Sequence, residues 1–251
     1  MIKAFANRLA DVLRDSGRIW LLAPIIPLIA IVPEFIQHVA EINLDMFDDI
    51  ESARAVSNGE TRWAFGYAKL AGYLIAILAA IRFWAARREG LPWWSMKGIA
   101  WKVFGIALVA NIVVGLASTG LEIGTAHYGE TTVQAISIAF SIITLPIFVM
   151  LIAGLVGDRS TTLASVYRSG WGAALRIVIF SAIVLVPLMW LHSQNHVWAM
   201  GADKALVWAL MVFDSLVVGL LAGAWGTAIH HGYRPLSEPL DKGDDAGFTA
   251  V

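Results

Sequence analysis

The chain has 251 residues, of which 58% are hydrophobic and 15% charged, and its formal net charge is −1. Soluble proteins have about 45–50% apolar and about 25% charged residues, so this composition indicates an integral membrane protein, with no overall field to attract nucleic acid. There is no cysteine, which excludes disulfides, thiolate metal sites and iron–sulfur clusters.

Six apolar runs are each long enough to cross a bilayer, which takes about 20 residues. The runs are apolar on every face and do not alternate, so they predict helices and not barrel strands. Because the connections are short, we expect antiparallel hairpins in one all-α, polytopic domain over residues 1–232, followed by a polar, disordered tail over 233–251. The predicted spans are 19–40, 63–86, 99–121, 132–156, 172–191 and 205–228.

Two further segments, residues 1–18 and 158–171, predict amphipathic helices on the inner membrane surface. In the first, Ile2, Phe5 and Leu9 recur at helical spacing beside basic residues, and the second repeats this arrangement. An apolar stripe with a basic flank is typical of a helix at an anionic leaflet. The alternative, given equal weight, is that each helix packs on the bundle by its apolar stripe.

The basic residues predict how the helices are oriented, because Lys and Arg near helix ends are retained on the cytoplasmic side. The first, third and fifth connections carry only Arg54, Arg62 and Lys204. Both termini are therefore predicted to be cytoplasmic, in a bacterial-type inner membrane. The predicted cytoplasmic set is Lys3, Arg8, Arg14, Arg18, Arg82, Arg87, Arg88, Lys97, Lys102, Arg159, Arg168, Arg176, Arg234 and Lys242.

Part of the chain repeats at an offset of 154 positions, which aligns residues 9–33 with residues 163–187. The matched pairs include Leu9 with Leu163, Arg14 with Arg168 and Pro33 with Pro187. Both copies enter from the cytoplasmic side, so the repeat is parallel and its unit is a surface helix followed by a transmembrane hairpin. Residues 92–156 are a candidate degenerate middle copy.

The second copy contains the segment SVYRSGW, which precedes a span that ends in proline. It resembles the recurring element of the bacterial six-helix membrane domain attached to glycerophosphodiester phosphodiesterases, and of related stand-alone inner-membrane proteins. That group has an SxxxSW-like segment, and Ser165, Ser169 and Trp171 occupy similar places here, with Gly170 as an extra residue. The resemblance covers about a third of the chain. It implies the fold and a membrane-associated supporting role, and it carries over no catalytic residues.

Four polar residues lie inside the predicted spans, where an ionisable group costs about 2.5–3.5 kcal/mol. They are Glu34, Lys69, Asn111 and Asp214. Glu34 and Lys69 both lie about 9 Å from the outer boundary, so a short hairpin predicts an ion pair between them. Asn111 and Asp214 both lie near the midplane, which predicts a hydrogen bond, with a protonated Asp214 as one form. Packing between helices is favoured over a transport role.

The first span places Glu34, His38 and Glu41 on one face, within a sector of about 60°. Carboxylates and an imidazole on one face can bind a divalent cation or pass a proton along. The spacing matches no tight zinc signature, so a metal site is the less favoured interpretation. His192 and His196 are predicted on the same outer side.

No motif in the sequence identifies a reaction, and the chain is not expected to be an enzyme. The favoured hypothesis is a non-catalytic scaffold or lipid-associated protein of the envelope. Its candidate partners are the lipid bilayer and a membrane protein or second copy, without nucleic acid, and no cofactor is predicted beyond a candidate divalent metal. One alternative is a small-solute or proton-coupled transporter that uses the four intramembrane polar residues. The other is an outer-face metal or haem protein that uses His38 and His192.

Overall fold

The computed structural model describes residues 2–92 and 94–238. A single 3₁₀ turn, Ala126–Tyr128, separates the fifth helix from the sixth. Most of the predicted tail, including Lys242, lies outside the described residues. The helices are α1 (Ile2–Leu22), α2 (Ile25–Asn43), α3 (Ile50–Ser57), α4 (Glu60–Arg88), α5 (Trp101–Thr125), α6 (Glu130–Leu155), α7 (Leu163–Ser169), α8 (Trp171–Ala199) and α9 (Lys204–Tyr233).

Six helices (α2, α4, α5, α6, α8 and α9) are long and apolar enough to cross a membrane. Residues 2–92 and 94–238 contain no β-strand. The predicted class, an all-α polytopic membrane protein with six spans, is therefore confirmed. The first span begins at Ile25 instead of the predicted residue 19, because α1 continues to Leu22 and the helix is interrupted between Leu22 and Ile25.

Prolines determine the shape of the first span. Pro24 is the N-cap of α2 and Pro27 lies in its first turn, where backbone N–H groups have no helical partner. Pro33 lies inside the helix and cannot donate to the carbonyl of Ile29. Gly72 of α4 fits against this segment, since a Cβ there would lie 2.7 Å from the Ile29 oxygen and 2.8 Å from Pro33 Cγ.

The last helix, α9, lies at the centre of the bundle and packs against α8, α2, α4 and α1. Small residues allow the close approach. A Cβ at Gly226 would lie 2.5 Å from Cβ of Ala80, and one at Gly219 would lie 2.5 Å from Cγ1 of Ile31. Close contact of this kind holds membrane helices together, because lipid tails provide no hydrophobic driving force between them.

The hairpin of α5 and α6 joins the rest of the bundle at one end only. The two helices pack mainly against each other, and α6 buries its residues from Pro146 to Leu155. A Cβ at Gly154 would lie 2.4 Å from the backbone nitrogen of Phe104. The opposite half of the hairpin exposes an apolar surface, which suits contact with lipid.

The two ends of the bundle differ in chemistry. We call the end at which α4, α6 and α9 finish the basic end, and the opposite end the histidine end. At the basic end, Arg8 Nη1 donates to the carbonyl of His231 at 3.1 Å, and Arg176 Nε donates to that of Gly232 at 3.0 Å. The two guanidinium groups therefore satisfy the last carbonyls of α9, which have no helical donors.

The first helix, α1, packs along α9 by a buried stripe that includes Val12 and Ile19, as the second interpretation of this segment expected. Asp15 lies on the same stripe, with its Oδ2 2.9 Å from Nε2 of His231. Burial acts to raise the pKa of Asp15, but hydrogen bonds from His231 and Arg14 outweigh it and hold the pKa below its usual range. The position of His231 as a helix-end residue predicts an ordinary exposed cation, whereas the structure buries it.

Reporter fusions test the predicted orientation. Gly59, Gly129 and Gly201 lie at the histidine end, and Gly90 and Gly157 lie at the basic end. Because the basic end carries most of the Lys and Arg, fusions at the first three positions should report the outer side and the other two the cytoplasm. Alkaline phosphatase and fluorescent-protein activities distinguish the two sides. One reporter on the opposite side would contradict the six-span topology.

Candidate functional site

Polar side chains fill the bundle at the histidine end, between α2, α4, α8 and α9. Six of these residues are no more than 3% exposed, which is costly for charged groups unless each has a partner. They come from three helices: Glu34, Gln37, His38 and Glu41 from α2, Asn195 from α8 and Asp214 from α9. Four less buried side chains complete the cluster: Arg62, Lys69, His192 and His196.

Asp214 is the hub of this cluster. Its Oδ2 lies 3.0 Å from His38 Nε2, 2.8 Å from His192 Nδ1 and 3.5 Å from His196 Nε2. Its Oδ1 accepts a hydrogen bond from Asn195 Nδ2 at 2.8 Å. Three imidazole nitrogens from two other helices therefore converge on one carboxylate oxygen.

His38 lies between carboxylates on both sides of its ring. Nδ1 is 3.0 Å from Oε2 of Glu41, and Nε2 is 3.2 Å from Oε1 of Glu34 as well as 3.0 Å from Asp214. A neutral imidazole carries a proton on only one nitrogen, so the other would face a carboxylate oxygen as acceptor against acceptor. The geometry therefore requires a further proton, on His38 or on a facing carboxyl group, or a cation bound at one nitrogen.

Glu41 is held firmly behind His38. Its Oε1 accepts hydrogen bonds from Gln37 Nε2 at 2.6 Å and from Arg62 Nε at 3.0 Å. Its other oxygen orients His38 through Nδ1, which leaves Nε2 directed at Asp214. A carboxylate that fixes the ring in this way is the usual outer neighbour of a metal-binding histidine.

Glu34 pairs with Lys69, as the hairpin and the matching depths predicted. Nζ of Lys69 lies 2.7 Å from Oε1 of Glu34. The second carboxylate oxygen of Glu34, Oε2, is buried without a hydrogen-bond partner. The cluster thus contains three carboxylates against two permanent cations, Lys69 and Arg62, so at least one further positive charge is needed for balance.

Two groups of potential metal ligands meet at Asp214. Those of His38, His196 and Asp214 lie within 4.8 Å of one another, and so do those of Glu34, His192 and Asp214. In a tetrahedral zinc site with bonds of about 2.0–2.1 Å, ligand atoms lie about 3.3 Å apart. The separations around Asp214 Oδ2, from 2.8 to 3.5 Å, are close to that value.

The predicted hydrogen bond between Asn111 and Asp214 is not formed. Nδ2 of Asn111 donates to the carbonyls of Ala107 at 2.8 Å and Ile147 at 3.2 Å, within the pair of α5 and α6. The two residues were matched by depth, but α9 packs against α2 and α8 and brings their histidines to Asp214 instead. Of the predicted polar residues, Glu34, His38, Glu41, Lys69 and Asp214 meet in one cluster, and Asn111 does not join it.

The sequence repeat extends beyond Pro33 into this cluster. The alignment of residues 9–33 with residues 163–187 ended before it reached these residues. At the same offset of 154, His38 aligns with His192 and Glu41 aligns with Asn195. Each histidine lies five positions after its proline, Pro33 or Pro187. The two copies therefore each supply one imidazole to Asp214. His196, one helical turn beyond His192, has no histidine counterpart in the first copy.

No protein-family model, curated protein or solved structure is detectably similar to this chain. The resemblance of SVYRSGW to the phosphodiesterase-associated membrane domain stays a prediction. The function must therefore be argued from the geometry of the histidine end.

Proposed function

We propose that the protein binds one zinc-type divalent metal ion at its histidine end, on the outer side of a bacterial-type inner membrane. The observation that supports this proposal is the convergence of three imidazole nitrogens on Asp214 Oδ2. Imidazole nitrogens and a carboxylate oxygen that meet in this way are a donor set that one cation can bind. Imidazole with carboxylate suits zinc and related first-row ions better than magnesium or calcium.

The proposed ligands are His38, His196 and Asp214, whose ligand atoms all lie within 4.8 Å of one another. Three protein ligands leave one position of a tetrahedral zinc shell for a further group. The ion would join α2, α8 and α9, and it would occupy Nε2 of His38 while Nδ1–H donates to Glu41. On this basis the ion holds the outer end of the bundle together, and the protein is a non-catalytic, metal-stabilised component of the envelope.

The two rival functions account less well for this cluster. A scaffold or lipid-associated role without metal gives no reason for three histidines around a buried aspartate. A transporter needs a path between the two ends, but α9 is close-packed along its middle at Gly219 and Gly226. The metal hypothesis therefore takes precedence over both.

Metal analysis of protein purified in mild detergent tests the proposal. We expect about one zinc-type ion per chain, and His196→Gln should remove most of it, because it deletes one of the three protein ligands. Chelation should also lower the thermal unfolding midpoint, since an ion bound only by the folded state stabilises it by about 2.7 kcal/mol at 100 times its dissociation constant. Added zinc should restore the midpoint.

His127→Gln is the matched control. His127 lies in the 3₁₀ turn at the same end, where its ring stacks on Tyr128 with centroids 3.8 Å apart. Its loss should leave the bound metal unchanged. Equal metal content in His127→Gln and His196→Gln proteins, or a midpoint that responds to neither chelator nor zinc, would overturn the proposal.

A further inference from the structure

A cavity of about 550 Å³ opens at the basic end, between α6, α7, α8 and the residues that follow α9. Pockets that bind small molecules typically measure about 300–1,000 Å³. One part of its lining is apolar, with Val149, Ala153 and Val166, and the facing part carries Arg176 and Arg234. The cavity lies at the opposite end of the bundle from the histidine cluster and shares no residue with it.

Both arginines keep nitrogen atoms available. Arg176 uses Nε and Nη2 to cap the carbonyls of Gly232 and Tyr233, while its Nη1 lies beside Gly172 with no partner among the described residues. Arg234 lies 3.7 Å from Glu238 through Nη1, and its Nε is buried with no hydrogen-bond partner. A guanidinium N–H without an acceptor, such as Arg176 Nη1, is a donor for an anionic ligand in the cavity.

The charge around the cavity is also positive. Arg8 and Arg88 lie behind Glu238, which accepts hydrogen bonds from both through its backbone and side chain respectively. Burial lowers the pKa of Arg234, and the nearby Arg88 lowers it further because like charges repel, while Glu238 acts in the opposite direction. An added anion would relieve this repulsion.

The other acid of the cavity, Asp158, is already satisfied. Its oxygens accept hydrogen bonds from the hydroxyls of Ser160, Thr161 and Tyr233 and from the backbone of Ser160. Although burial acts to raise the pKa of Asp158, these hydrogen bonds hold it below its usual range. Asp158 thus orders the wall of the cavity and leaves Arg176 and Arg234 free for a ligand.

We propose that this cavity binds the phosphate group of an anionic phospholipid, with Arg176 Nη1 and the guanidinium group of Arg234 as its donors. The cavity lies at the end of six spans, where the phosphate groups of a bilayer leaflet lie. Guanidinium groups bind phosphate oxygens through short, charge-assisted hydrogen bonds. Basic pockets between helices are a recognised form of headgroup site.

Native mass spectrometry of the detergent-purified full chain tests this binding, with phosphatidylglycerol as the probe and phosphatidylcholine of the same chains as its neutral counterpart. We expect phosphatidylglycerol to bind in preference. Arg234→Gln should weaken its binding by about tenfold, because it removes one charge-assisted donor. Gly172→Leu should weaken it to a similar degree, since the new side chain points toward Arg176 Nη1, 3.4 Å from where its Cβ would lie.

Two matched controls separate the cavity from general effects. Arg159→Gln removes the same charge from an exposed residue at the same end, and Gly115→Leu adds the same side chain where nothing lies within 4 Å. Both should leave the affinity within about twofold, because exposed charges contribute little. Equal binding by the Arg234→Gln and Arg159→Gln proteins, or equal binding of the two lipids, would overturn the site. Binding of inorganic phosphate as tight as that of phosphatidylglycerol would overturn its assignment to lipid.

Discussion

Replacing Gly72 with alanine is expected to lower the free energy of unfolding by about 1–3 kcal/mol, the usual cost of overpacking. The new Cβ would lie 2.7 Å from the backbone oxygen of Ile29 and 2.8 Å from the ring of Pro33. Neither a backbone carbonyl nor a proline ring can rotate away, so α2 and α4 must move apart. The separation would occur beside Glu34 and Lys69, and the variant should therefore also weaken metal binding at the histidine end.

Gly66→Ala provides the comparison on the same helix. Its Cβ would meet only Gln37 Oε1 at 3.9 Å, an ordinary contact. Alanine is favoured over glycine inside a helix by up to about 1 kcal/mol, so this variant should be neutral or more stable. Thermal unfolding midpoints in one detergent measure both variants. Equal midpoints for the two alanine variants would show that α2 and α4 do not approach as closely as the structure places them.

Composition and run length were sufficient to predict the six spans, and simple depth counting placed Glu34 beside Lys69. This second result depended on topology. The two residues lie on consecutive spans joined by a short connection, so equal depth implied proximity, and their charged atoms are 2.7 Å apart. Depth along a helix follows directly from the rise of about 1.5 Å per residue.

Matching residues by depth gave the wrong partner for Asp214, because depth along a helix does not determine which helices are neighbours. Asn111 lies at a similar counted depth, but α5 packs on α6, while α9 packs on α2 and α8. Neighbours in a bundle are chosen by close contacts such as those of Gly219 and Gly226, whose partners lie on α2 and α4. No pattern within a single span identifies those partners.

The internal repeat carried the missing information. Extending the alignment five positions past Pro33 and Pro187 would have paired His38 with His192 and indicated that both belong to one site. Glu41 and His38 were correctly placed on one face, but their roles differ: His38 reaches Asp214, and Glu41 lies behind it as a carboxylate neighbour. The sequence showed which residues share one face of the helix. It did not show which of them contacts Asp214 directly.

Removing either partner of the pair between Glu34 and Lys69 is expected to cost about 3–5 kcal/mol of stability, because it leaves a buried charge uncompensated. Glu34 is fully buried, and Lys69 is 22% exposed, so Lys69→Met should be the more damaging of the two changes. The double variant should recover much of the loss. Unfolding in detergent measures this cycle, and additive losses in the double variant would show that the two charges do not interact.

The same variants separate a packing role for Glu34 from a metal-binding role. Glu34 Oε1 lies 3.2 Å from Nε2 of His38, and its carboxylate belongs to a ligand group with His192 and Asp214. If Glu34 supplies a ligand, Glu34→Gln should reduce bound zinc by tenfold or more, since a carboxamide is a much weaker ligand, while Lys69→Met should retain it. If Glu34 only pairs with Lys69, the folded protein of both single variants should still bind metal. The double variant should then bind metal as the parent protein does. Measuring bound zinc and the unfolding midpoint on the same preparations decides between the two roles, because only the ligand role predicts that Glu34→Gln loses metal while Lys69→Met keeps it.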